Sequence, residues 1–166
     1  ITASSGMSAI LMAVTNVCSA GDNIISYAKI YGGTFNLFNV TLRRLGIECR
    51  FIDAETSAED IEKLIDDKTR LIYGESIANP GMDIFDYEKV VPVCRKHGVL
   101  LMIDNTLTTP VLHRPFEWGA DVVVHSTTKY MDGHASSLGG IVVCSDKLDF
   151  TGNARYPMFT TPDASY

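Results

Sequence analysis

Val99-Leu100-Leu101-Met102-Ile103-Asp104 is an apolar run that ends in an acid. A run without polar alternation suits a strand covered on both faces, as in a parallel sheet flanked by helices. Asp121-Val122-Val123-Val124-His125 repeats the pattern. Upstream, Asp86 caps a helix whose Val90, Val91 and Cys94 face inward and which stops at Gly98. Arg70–Glu75, Cys49–Asp53 and Asn23–Tyr27 read as earlier strands. Between them, Ser57-x-x-Asp60 has the form of a capping box opening a helix through Ile61, Leu64 and Ile65. Phe35, Phe38, Leu42 and Leu45 recur at helical spacing ahead of Gly46. Met7, Ile10, Leu11, Val14, Val17 and Cys18 mark a first helix over 6–18, with Ser4 or Ser5 as its cap. The stretch 126–138 has no helical stripe and contains Gly133, so the last strand, Gly139–Cys144, is expected to return antiparallel. The fold class is therefore α/β, a three-layer αβα arrangement on a mostly parallel sheet with an antiparallel last strand.

The 166 residues, 46% apolar and 20% charged, suit one globular domain with a sizeable core. A net charge of −6 without a Lys/Arg run speaks against a nucleic-acid partner. No apolar stretch reaches the ~20 residues that span a bilayer, so no membrane partner is expected. No signal peptide is visible, and a chain that starts at Ile1 is expected to lack its true N-terminus. Cys18, Cys49, Cys94 and Cys144 lie far apart and read as small buried apolar residues in a reducing, cytoplasmic compartment. His97, His113, His125 and His134 lack metal spacing and are expected to be solvated or second to a site; no metal is expected.

Ligands of such sheets bind beyond the carboxyl ends of the strands. Those ends present Glu75, Asp104 and Ser126-Thr127-Thr128-Lys129, and Ser4-Ser5-Gly6-Met7 precedes the first helix. Each alone has an ordinary explanation: an acid where a strand meets water, loop hydroxyls, a small-residue cap. Together they suit pyridoxal 5′-phosphate. A helix start and the Ser126 and Thr128 hydroxyls can cradle a phosphate. A buried Asp104 can keep a pyridine nitrogen protonated. A desolvated Lys129 can form a Schiff base with an aldehyde. Tyr31, in Ile30-Tyr31-Gly32-Gly33, can stack on the ring.

Ser5-Gly6-Met7, Tyr31-Gly32, Glu75-Ser76-x-x-Asn79-Pro80, Asp104-Asn105-Thr106 and Ser126-x-Thr128-Lys129-Tyr130-x-x-Gly133-His134 together resemble the Cys/Met-metabolism group of fold-type-I pyridoxal-phosphate enzymes, from Ile1 to Tyr166. The resemblance implies Lys129 as the Schiff-base lysine and Asp104 as partner of the pyridine nitrogen. It implies Ser126 and Thr128 as side-chain phosphate ligands, with Gly6 and Met7 as backbone ones. Tyr31 would stack and assist proton transfer, and Asn79 would lie near the phenolic oxygen. Leu37-Phe38, Ser136-Ser137-Leu138-Gly139-Gly140 and Tyr156-Pro157-x-Phe159-Thr160-x-Pro162-Asp163-x-Ser165-Tyr166 are most similar to O-acetylhomoserine sulfhydrylases. That implies γ-replacement on O-acetyl-L-homoserine by sulfide, giving homocysteine and acetate in methionine biosynthesis. Methionine γ-lyase and cystathionine γ-synthase or lyase are the alternatives within the group. Two residues depart from the group's pattern: Ala135 stands where glycine is usual, and Leu107 replaces an aromatic.

The resemblance also implies a large cofactor-binding domain over 1–150, truncated at both ends, with 151–166 starting a linker toward a C-terminal domain. Members carry an N-terminal arm that completes a neighbour's site and a C-terminal arginine for the substrate carboxylate, and they assemble as dimers of dimers. The chain alone is thus expected to be inactive, with Arg43, Arg44, Arg70, Arg95 and Arg114 as surface charges. A Rossmann domain would need G-x-G-x-x-G and a P-loop would need glycine before its lysine; neither is present. A non-catalytic interaction module of the same fold would lack Lys129 or Asp104, and both are present.

Overall fold

The computed structural model describes residues 1–162. The ends of the tail motif at Asp163, Ser165 and Tyr166 lie outside the described residues. One sheet runs in the order β1-β7-β6-β5-β4-β2-β3, with β1 Thr2–Ala3, β2 Asn23–Tyr27, β3 Glu48–Ile52, β4 Thr69–Glu75, β5 Leu100–Asp104, β6 Val122–Ser126 and β7 Gly140–Cys144. Strands β2 to β6 pair in parallel, and β7 returns antiparallel to β6. The edge strand β1, too short for any periodicity to reveal it, pairs antiparallel with β7.

The helices are α1 Gly6–Val17, α2 Gly32–Asn36, α3 Ala58–Lys63, α4 Tyr87–His97 and α5 Thr109–Leu112. Capping fixes their starts: Ser5, Ser57 and Asp86 accept from the backbone N–H of Ser8, Asp60 and Lys89. Gly98 closes α4 at φ +62, the left-handed position that favours glycine.

Alternation along the strands sorts the core into two layers. Leu71, Tyr73, Leu100, Met102, Val122 and Val124 pack with Ile10, Val14, Phe38 and Leu42 on one face. Ile72, Leu101, Ile103 and Val123 pack with Ile61, Val90, Val93 and Cys94 on the other. Each such side chain, fully buried, contributes roughly 1.5–3 kcal/mol. Residues Glu75, Asp104 and Ser126 continue the first set in register, so they project on the α1 face at the carboxyl end of the sheet.

Several expectations change. The helix expected around Phe35–Leu45 starts at Gly32 and widens into a π-helical turn, Leu37–Leu42. The wider turn buries Leu37, Phe38 and Leu42 but leaves Leu45 exposed. On α4 it is Val93, not Val91, that joins Val90 and Cys94 in the core. All four cysteines are free, and Cys144 is exposed rather than buried because β7 is covered only lightly. Arg70 is no surface charge: it pairs with buried Asp22 at 2.8 Å and donates to the Arg155 carbonyl. His125 is buried, not solvated. After β7 the chain folds back, and Tyr156 is fully buried, accepting from Leu100 N–H and donating to the Arg70 carbonyl. Packing thus continues at least to Tyr156. Among the described residues no helix is long and apolar enough to cross a membrane.

Candidate functional site

Strand register builds the site. Glu75 and Asp104 are direct partners across β4 and β5, which places two carboxylates side by side on one face. Asp104 Oδ1 accepts from Thr106 N–H at 2.9 Å and Thr106 Oγ1 at 2.5 Å. Thr106 Oγ1 in turn accepts from Ser126 N–H at 2.8 Å, so one hydroxyl ties the end of β5 to the end of β6. Behind them Tyr73, fully buried, points its hydroxyl at Asp104 Oδ2 from 3.4 Å.

No cation side chain pairs with either carboxylate among the described residues. Burial pushes Asp104 above the ordinary carboxylate range, although the Thr106 hydroxyl and N–H and the Tyr73 hydroxyl pull it back. Burial raises Glu75 to about 7; the Tyr31 N–H opposes this, the Asp104 charge adds to it, and the Asn79 N–H opposes it again. A buried acid with spare acceptor capacity is a site waiting for a donor.

The N-terminus of α1 meets the same place. A side chain at Gly6 would bring its Cβ within 2.6 Å of Ser126 Cβ, and one at Gly140 would run into the Ser5 carbonyl. These glycines let the helix start approach the end of β6, so that helix N–H groups and the Ser126 hydroxyl face one volume. Ser5 serves the Ser8 and Ala9 N–H groups, and the Gly6 and Met7 N–H groups remain as the helix's open donors.

A cavity of about 730 Å³ is lined by all eight residues singled out from the sequence: Gly6, Met7, Tyr31, Asn79, Asp104, Ser126, Thr128 and Lys129. Its size suits a cofactor together with a small substrate. Glu75, Thr34 and Thr106 also line it, as do Leu107 and Ala135, the two departures. Two placements differ from expectation. Lys129 is exposed along the cavity wall, so this chain alone does not desolvate it. The Thr128 hydroxyl is engaged with the backbone of Gly139, accepting from its N–H at 3.0 Å and donating to its carbonyl at 3.3 Å. That bond pins the two ends of the 128–139 loop.

The arrangement fits pyridoxal 5′-phosphate on structural grounds. It offers an anion cradle of helix N–H groups, an acid, Asp104, with hydroxyl and backbone donors but no cation beside it, and an amine on the same wall. No group of His, Cys, Asp and Glu that could hold a metal occurs among the described residues. Sequence reasoning noted Glu75 and Thr106 without giving them a role, and passed over Tyr73 and Thr34. Period-two alternation could have placed Tyr73 on the Glu75 face; nothing in the sequence revealed its hydroxyl contact.

Residues 1–160 match the family model described as Cys/Met metabolism PLP-dependent enzyme. The chain is 45% identical to a homocysteine synthase of Schizosaccharomyces pombe, covering all of this chain and 39% of that protein. It is 41% identical to an O-acetyl-L-homoserine sulfhydrylase of Leptospira meyeri, again over all of this chain and 37% of the relative. Among solved structures, an O-acetylhomoserine (thiol)-lyase of Campylobacter jejuni carrying N′-pyridoxyl-lysine-5′-monophosphate superposes with a TM-score of 0.96 at 42% identity, over 100% of this chain and 41% of that one. The chain spans about two fifths of the length of these relatives.

Proposed function

Because the chain belongs to the Cys/Met metabolism family of PLP-dependent enzymes, we propose that Lys129 holds pyridoxal 5′-phosphate and that the full-length protein makes homocysteine and acetate from O-acetyl-L-homoserine and sulfide. The observation that carries this reading is the single cavity lined by Lys129, Asp104, Ser126 and the start of α1. The relatives' names support the choice of reaction within the family.

Each residue has a task that its surroundings suit. Ser126 and the Gly6 and Met7 N–H groups bind the phosphate, with the positive end of α1 behind them. Thr128 completes that cradle if its hydroxyl leaves Gly139; otherwise it only fixes the loop. Asp104, held by Thr106 and Tyr73, keeps the proton on the ring nitrogen. The bound cofactor supplies an electron sink for the pair left at the substrate's Cα. With the cofactor bound, Lys129 would hold its aldehyde, and the free Lys129 amine would take the substrate's Cα proton and move a proton at Cβ. Tyr31 covers the ring and exchanges a proton at Cγ, where acetate leaves and sulfide enters. Asn79 positions the phenolic oxygen. We place the protein in the cytoplasm as a dimer of dimers, with a neighbour's arm and a C-terminal arginine completing the substrate site.

The test uses the full-length protein with added pyridoxal phosphate. Borohydride should fix a pyridoxyl group on the peptide containing Thr128-Lys129-Tyr130. With O-acetylhomoserine and sulfide, homocysteine should form faster than 2-oxobutanoate. Labelling at another lysine overturns the site. Faster cleavage of methionine or cystathionine to 2-oxobutanoate makes the protein a γ-lyase, and cysteine outcompeting sulfide makes it a cystathionine γ-synthase.

A further inference from the structure

Glu75 is a buried carboxylate whose two oxygens have separate partners. Oε1 accepts from the Tyr31 N–H at 2.8 Å and Oε2 from the Asn79 N–H at 3.1 Å. These donors belong to different loops: Tyr31 heads α2 after β2, and Asn79 lies in the turn between β4 and α4. Other bonds of the second loop, Ala78 N–H to Asp83, Met82 N–H to Ala78 and Phe85 N–H to Ser76, close it on itself. The Asn79 N–H instead reaches across to Glu75. We propose that Glu75 is a positioning residue, a two-oxygen clamp that holds the backbones of Tyr31 and Asn79 in a fixed relation over the cavity. The proposal rests on the reading of that cavity as the pyridoxal-phosphate site.

A bland account is that Glu75 merely satisfies two backbone N–H groups. A neutral amide would satisfy one of them without burying a second acid beside Asp104, and such burial is unfavourable unless well compensated. What a carboxylate offers is two equivalent acceptors on one rigid plane, each aimed at a different loop. Glutamine keeps the shape but offers one acceptor, and its NH₂ would face an N–H. Burial raises Glu75 to about 7, and the Tyr31 and Asn79 N–H groups are the contacts that oppose this and favour the carboxylate. Tyr31 itself is half exposed, so few side-chain contacts fix it and its backbone bond matters more. Gly33 has the same consequence: a Cβ there would come within 2.5 Å of the Tyr31 ring, so the ring lies folded over its own loop.

The experiment compares full-length wild type, Glu75→Gln and Glu75→Ala. In the cofactor-free protein, amide exchange in peptides covering 28–34 and 76–82 should quicken severalfold in both variants, more in Ala than in Gln, with the α4 peptide unchanged. In the loaded protein, the circular dichroism induced in the cofactor band should fall at least twofold and kcat about tenfold, with a smaller change in KM. Borohydride labelling at Lys129 should persist. If the variants lose only thermal stability, with the cofactor band and kcat unchanged, Glu75 is structural and the proposal falls. If labelling is absent from Lys129 in wild type, the cofactor reading falls instead. Should Glu75→Ala fail to fold, Glu75→Gln decides the matter alone.

Discussion

The two ends of the sheet treat acids and left-handed residues in opposite ways. At the amino ends Asp22 pairs with Arg70, Asp121 with Arg95, and Asp66 with Arg50. At the carboxyl ends Glu75 and Asp104 lie side by side with backbone and hydroxyl donors only. Left-handed positions divide likewise. Gly21, Gly46, Gly98, Gly119 and Gly152 serve the amino-end turns, whereas in the loops around the cavity Gly133 is joined at positive φ by the non-glycine residues Met82, Thr109 and Ala135. One end is built for stability, with charge neutralised and backbone relaxed. The other retains uncompensated charge and strained backbone, as functional sites do.

Substitutions at the two ends should therefore fail in different observables. Arg70→Ala leaves Asp22 buried and unpaired and releases the Arg155 carbonyl, so it should destabilise the full-length protein by about 3–5 kcal/mol. The urea midpoint measures this, and turnover per folded molecule should stay near wild type. Asp104→Ala should do the reverse. Lys129 still takes the borohydride label, while turnover falls about 100- to 1000-fold, the scale for losing one preorganised electrostatic group. A large loss of turnover in Arg70→Ala, or none in Asp104→Ala, would erase the distinction between the ends.

The amino end was the harder of the two to read from sequence. Strand runs such as Leu100–Asp104 and caps such as Ser57 and Asp86 announce themselves through periodicity and local donor geometry, which act over a few residues. The eight cavity residues were legible because they sit at strand ends and a helix start, where a parallel sheet collects its ligands. Arg70 and Tyr156 were not, since their burial depends on contacts with Arg155 and Leu100 far away in sequence. The π-helical turn at Leu37–Leu42 was hidden for a related reason. Its widened register places Phe38 against Tyr73, whose ring it meets edge-on at 4.9 Å. Tertiary contacts overrode a pattern that locally fitted an α-helix.

Titration should separate the ends next. Between its ordinary 4.5 and about 7, Glu75 holds a proton in the folded protein that the unfolded chain has released. Its contribution to stability therefore falls as pH rises through that window, by roughly 3 kcal/mol in the cofactor-free protein. Asp104, also raised, acts in the same sense. Asp66 acts oppositely. Burial pushes it up, but hydrogen bonds from Asn23, Arg50 and the Lys68 N–H and the Arg50 charge outweigh that and lower it. Its contribution is present above the ordinary carboxylate pKa and is lost as pH falls below about 4. Urea titrations of cofactor-free protein should show Glu75→Gln flattening the slope only between pH 5 and pH 7, on the scale of about one carboxylate. Asp66→Asn should flatten it only in acid. A Glu75→Gln slope equal to wild type would mean that Glu75 titrates normally.

The smallest effect concerns backbone strain beside Lys129. Ala135 holds φ +53 in the loop after β6, where the family resemblance calls for glycine. A Cβ in the left-handed region costs about 1–2 kcal/mol. Glycine removes that cost but gives the unfolded chain more freedom, which returns about 0.4–1 kcal/mol. Ala135→Gly should thus stabilise the loop by a few tenths of a kcal/mol to about 1 kcal/mol, slowing local amide exchange up to about fivefold. The change should be confined to peptides covering 130–138, because Thr128 and Gly139 already pin the loop's ends. Gly98→Ala, at φ +62 in an amino-end turn, is the mirror experiment and should destabilise by about the same amount. If exchange in 130–138 quickens in Ala135→Gly, the Ala135 methyl makes contacts on the cavity wall that outweigh its strain. The departure from glycine would then be a feature of the pocket rather than a tolerated cost.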